Sequence, residues 1–142
     1  MRRKRLDIML PWPPKELSPN HKQRVFRLKL REIIKRYRAC ARVIAYEEAQ
    51  KAKVRAIEGT VNVEFHFYPP DNAHRDEDNL LAGMKAGIDG IADALCVNDY
   101  RFHYKEMHVH AAYPGGQVLA RLSFLQKTKP RAARSKNGTK GS

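Results

Sequence analysis

Apolar and polar positions first alternate through Leu6-Asp7-Ile8-Met9-Leu10, which predicts a short strand. The rigid segment Pro11-Trp12-Pro13-Pro14 ends it. Ser18-Pro19-Asn20 reads as a helix start, with Ser18 as cap and Pro19 in the first helical position. Beyond it Phe26, Leu30, Ile33, Tyr37, Cys40 and Ile44 recur at spacings of four and three, one apolar stripe of a long helix. Thr60–Tyr68 alternates again, with Val61, Val63, Phe65 and Phe67 on one face, and Pro69-Pro70 stop that strand. From Asn79 to Leu95 the period is helical, with Leu80, Met84, Ile88, Ile91 and Leu95 in register. Gly83, Gly87 and Gly90 interrupt this helix and point to close packing against a neighbour. Phe102–Ala111 and Val118–Phe124 read as two antiparallel strands joined by a turn at Pro114-Gly115-Gly116. The order predicts an α+β domain over residues 1–126, a small mixed β-sheet packed with two main helices. Residues 127–142 have no apolar period and read as a basic, disordered tail.

Charge sharpens this outline. The 142 residues carry a net charge of +13, unevenly spread. Residues 1–57 hold 17 Lys+Arg against 5 Asp+Glu, residues 58–126 hold 5 against 10, and residues 127–142 hold 6 against none. Basic flanks of this size are the footprint of a polyanion partner. On the long helix Arg24, Arg27, Arg31, Lys35, Arg38 and Arg42 recur two residues out of phase with the apolar stripe. Two residues are about 200° of rotation, which puts this basic stripe opposite the core, where it can face phosphates. No apolar run is long enough to span a membrane, and no apolar segment follows the basic N-terminus as a signal peptide would require. The two cysteines, Cys40 and Cys96, form no CxxC pair, which suggests a reducing, cytoplasmic setting.

The acidic centre carries the chemistry. His74-Arg75-Asp76-Glu77-Asp78-Asn79 places Asp76 and Asp78 two apart, so in an extended segment both carboxylates point to one side. Such a pair suits Mg2+, a hard cation that takes oxygen ligands, and metal-assisted phosphodiester hydrolysis is the chemistry it would serve. Asp99 follows the helix and joins them only if the chain folds back. Lys85, seven residues after Asp78, either holds a phosphate or pairs with Asp89 four residues on. His103, His108 and His110 lack a completing Cys or HxxxH spacing and read as a polar strand face rather than a zinc site.

These residues, taken together, resemble the RusA-like Holliday junction resolvases, small endodeoxyribonucleases often carried by phages and prophages. The resemblance covers roughly residues 6–125 and rests on Leu10-Pro11-Trp12-Pro13-Pro14, Ser18-Pro19-Asn20, Arg75-Asp76-Glu77-Asp78-Asn79, Lys85-x-x-x-Asp89 and Val97-Asn98-Asp99. It implies a homodimer that nicks two symmetric strands of a four-way DNA junction in recombination and repair. By matching position Asp76, Asp78 and Asp99 would hold Mg2+ (with Mn2+ as a substitute), and Arg75 would contact DNA. Two positions depart from the family: Ala82 stands where a lysine is usual, with Lys85 three residues further on, and Asn98 stands where the family favours an aspartate beside Asp99. A non-catalytic nucleic-acid-binding protein, or an inactive relative that binds junctions, is the competing expectation.

Overall fold

The structure, a computed structural model, describes residues 1–22 and 26–128. Strand β1 (Arg2–Pro11) leads through a 3-10 turn at Lys15–Leu17 into a short helix α1 (Pro19–Lys22). Helix α2 (Arg27–Lys51), strand β2 (Ile57–Tyr68), helices α3 (Glu77–Gly83) and α4 (Lys85–Leu95), and strands β3 (Phe102–Val109) and β4 (Gln117–Gln126) follow. The four strands form one mixed sheet in the order β1-β4-β2-β3. The α+β class and the small mixed sheet are as the pattern of apolar positions implied.

Alternation decides which face of the sheet is core. Leu6, Ile8 and Leu10 pair across β4 with Leu122, Ala120 and Val118, and these pair in turn with Val63, Phe65 and Phe67. All nine are buried and join Tyr37, Ala41 and Ala45 of α2 and Ile88 and Ile91 of α4 in one apolar cluster. The opposite face carries Asp7, Arg121, Glu64 and Glu106 in one row and Met9, Leu119, His66 and His108 in the next. None of these eight is buried.

Three expectations fail, each for a physical reason. Helix α2 begins at Arg27, and Phe26, its N-cap, is 87% exposed. Leu30, Ile33, Tyr37 and Ile44 of the expected stripe do pack on the core, and the fully buried positions are Tyr37, Ala41 and Ala45, whose two small residues let α4 approach closely. The helix expected over 79–95 breaks at Met84, which adopts φ −91°, ψ 1° and bonds back to Leu81 O at 3.0 Å. This tightened turn aims the Met84 side chain into the core, where the Tyr37 hydroxyl meets its sulfur at 3.7 Å.

The third failure concerns topology. β3 and β4 do not pair as a hairpin: β3 runs parallel to β2, and β4 lies antiparallel between β1 and β2. β4 buries Val118, Ala120, Leu122 and Phe124 and suits a central position. β3 buries only Phe102 among its eight residues and suits an edge. The Pro114–Gly116 turn forms, with Gly116 N–H donating to Tyr113 O at 2.7 Å. It carries the chain across the end of β2, where His110 N–H bonds to Phe67 O and Tyr113 N–H to Pro69 O.

Candidate functional site

Asp76 lies in extended backbone (φ −78°, ψ 130°) as the N-cap of α3, and its carbonyl accepts from Leu80 N–H at 3.0 Å. Its carboxylate makes no capping bond and lines a groove of about 390 Å3 with Trp12, Asn20, His74, Arg75 and Asn79. Asp78 is already inside the first turn of α3, where its charge complements the helix dipole. The two aspartates therefore do not share one extended segment, which corrects the geometry expected of them.

Arg75 is held within its own loop. Its guanidinium donates to Asp71 O and Ala73 O at 3.2 and 3.0 Å and pairs with the Asp71 carboxylate at 2.9 Å. It also stands 5.5 Å from the ring centre of Trp12, a cation–π contact. Asp71 accepts from Ala73 N–H, and that bond, with the neighbouring Arg75, holds its carboxyl below the usual carboxylate range. Arg75 thus braces the loop that presents Asp76.

Asp99 reaches the second half of the site by a turn in the backbone. α4 ends with Cys96 in the left-handed region (φ 56°), Cys96 N–H bonding to Asp93 O and Val97 N–H to Ala92 O. This Schellman-type end reverses the chain. Asn98 then caps a 3-10 turn by accepting from Tyr100 N–H at 3.3 Å, and Asp99 opens that turn. Lys85 Nζ donates to Asp99 at 2.6 Å and to Asp89 at 3.0 Å. The two carboxylates push the Lys85 ammonium up to about 12, Asp99 more than Asp89. Lys85 in return holds the Asp99 carboxyl down.

The three aspartates do not fit a single ion in this arrangement. Their oxygens are the right donors for Mg2+, but Asp76 and Asp99 line different cavities. Among the described residues they form no cluster with donor atoms within 4.8 Å of one another. Lys85 faces Asp89 and Asp99 rather than Asp78, because the break at Met84 ends the single helix face that would have aligned positions 78, 82 and 85.

One cluster among the described residues does meet that distance: Glu64, His66 and His108, of which the sequence singles out only His108, as part of a polar strand face. His66 and His108 are register partners on β2 and β3, and His110 bonds to His66 at 2.7 Å. His103 pairs with Asn62, away from this group. The i, i+2 spacings of Glu64/His66 and of His108/His110 were visible in the sequence. The parallel pairing that joins them was not.

On α2, Arg27, Arg31, Lys35 and Arg42 are exposed, but the basic stripe flanks the buried positions Tyr37, Ala41 and Ala45 instead of lying opposite them. Arg38 and Arg42 each follow a buried residue by one position, about 100° round the helix. Arg38 is engaged: its Nε and second nitrogen meet Asp93 at 2.7 and 2.9 Å, and Asp89 lies 3.9 Å away. Arg24 and all but the first two residues of the expected tail lie outside the described residues. No helix among them is long and apolar enough to cross a membrane.

No protein-family model matches the chain. An uncharacterized protein of Xylella fastidiosa (strain Temecula1) is 35% identical over 118 residues, which span 83% of this chain and 76% of that protein. The chain belongs to the same family as this Xylella fastidiosa protein.

Proposed function

We propose that the chain is a RusA-like, structure-selective DNA endonuclease that requires Mg2+ or Mn2+ and nicks four-way junctions as a homodimer. The observation that carries this reading is the contact between Lys85 and Asp99, 14 residues apart and 2.6 Å in space. An isolated pair at Lys85 and Asp89 would be ordinary helix chemistry. Recruiting Asp99 takes a reversed helix end and a capped 3-10 turn, which concentrates acids and one ammonium at an exposed edge. Asp76 supplies an uncapped carboxylate in the groove beside Trp12 and Arg75. The exposed bases of α2 supply phosphate contacts.

The test is a junction-nicking assay with and without Mg2+. Asp76→Asn and Asp99→Asn should each abolish nicking while leaving junction binding intact or tighter. Unchanged nicking in both variants removes the proposed site. A second reading is favoured by the separation of the three aspartates: a basic protein that binds branched DNA without cutting it. Binding with no nicking by the wild type, in Mg2+ or in Mn2+, selects that reading.

A further inference from the structure

We infer that Glu64, His66 and His108 form a binding site for a divalent transition ion, Zn2+ foremost, on the open face of the sheet. The site shares no residue with the proposed nuclease acids. Its origin is a bulge. β2 and β3 pair as Val61↔Phe102, Asn62↔His103 and Val63↔Tyr104, then shift so that Glu64 faces Glu106 and His66 faces His108. Lys105 is the extra residue. Before the shift the odd positions of β3 lie on the open face; after it the even positions do. One inserted residue thus brings Glu106, His108 and His110 alongside Glu64 and His66.

The donor atoms are close and partly shielded. His66 Nε2 is 2.5 Å from Glu64 Oε2, and His108 Nε2 is 4.0 Å from the same oxygen. Two ligands of a tetrahedral zinc with bonds of about 2.0–2.1 Å stand about 3.4 Å apart, between these separations. The His66 side chain is only 13% exposed and that of Glu64 30%. Glu106 Oε1 lies 2.8 Å from His108 Nε2 and is the nearest fourth oxygen. His66 Nδ1 meets His110 Nε2 at 2.7 Å, so His110 can accept its proton and leave His66 Nε2 free to ligate. Arg121, the neighbour of Glu64 in the sheet, does not compete, because its guanidinium is paired with Asp7 at 3.0 and 3.2 Å.

Two imidazoles and a carboxylate favour a borderline ion over Mg2+, which avoids nitrogen ligands. The ion would tie the edge strand β3 to β2 and keep a position open to water or to Glu106. The experiment titrates the full, metal-stripped chain with Zn2+ against a chromophoric chelator. One equivalent should bind, unaffected by excess Mg2+. Affinity should fall at least about tenfold in His108→Gln and in Glu64→Gln. It should hold in His103→Gln, beyond the bulge, and in Cys96→Ser, which removes an exposed thiol. A second measurement needs no variant: Co2+ bound to the wild type should give the intense visible bands of a four-coordinate site. No stoichiometric Zn2+, undiminished affinity in His108→Gln, or a six-coordinate Co2+ spectrum would each overturn the inference. None of these outcomes bears on the nuclease reading, which depends on other residues.

Discussion

Single residues show where the packing leaves no room. A Cβ on Gly90 would lie 2.3 Å from Arg38 O and 2.9 Å from Arg42 N, both backbone atoms of α2 that cannot step aside. Gly83 is the contrast, since a Cβ there would meet only Leu17 O, at 3.9 Å. Gly90→Ala should therefore destabilise the protein by about 3 kcal/mol, the upper end of overpacking. Gly83→Ala should be neutral or gain up to about 1 kcal/mol from helix propensity. Denaturant unfolding of the two variants checks both, and equal effects would show that α4 does not press on α2 at Gly90. The glycines were legible as a sign of close packing. Which of them makes the contact was not, because that depends on the axis set by the break at Met84. The aspartates behave alike: Asp76 and Asp99 were singled out by residue type and spacing, whereas the ammonium facing Asp99 became visible only once the chain reversed at Cys96.

At the scale of elements, α2 and α4 are clamped twice: by the small residues between them and by Arg38 on Asp93. Both side chains of that pair stay 47% and 35% exposed, so solvent screening keeps its worth to about 0.5–1 kcal/mol. The hydrogen bond from Arg38 holds the Asp93 carboxyl below its ordinary value of 3.8. A folded-state pKa below the unfolded one gives stability that is fully present above 3.8 and lost as pH falls through the folded value. A double-mutant cycle of Arg38→Ala and Asp93→Ala should show this coupling at neutral pH and none in strong acid. Coupling that survives acid would mean packing, not charge, joins the two helices. Strand existence was plain from alternation along β2 and β4. Strand order was not, because a Pro-Gly-Gly turn serves a hairpin and a crossing over β2 equally well, and only the polar make-up of β3 marks it as an edge.

For the whole molecule, the charge map divides into parts with different causes. Arg2, Arg3, Lys4 and Arg5 belong to β1, an edge strand, where cations also discourage sheet-to-sheet pairing. Arg38 serves the helix clamp and Arg75 its loop. Arg27, Arg31 and Lys35 are exposed on α2 and have no ion-pair partner among the described residues, as is true of Lys29, Arg36 and Arg42 on the same helix. If Arg27, Arg31 and Lys35 meet DNA, each base contributes to counterion release in proportion to the phosphates it neutralises. The triple variant Arg27→Gln, Arg31→Gln, Lys35→Gln should lower junction affinity and flatten the slope of log affinity against log salt by about 2–3. Arg38→Gln alone should leave the slope nearly unchanged, since Asp93 already neutralises that guanidinium. The pair of measurements separates a defined phosphate track from a diffuse positive field. A field would respond to Arg38 as much as to any other base, and a track would not.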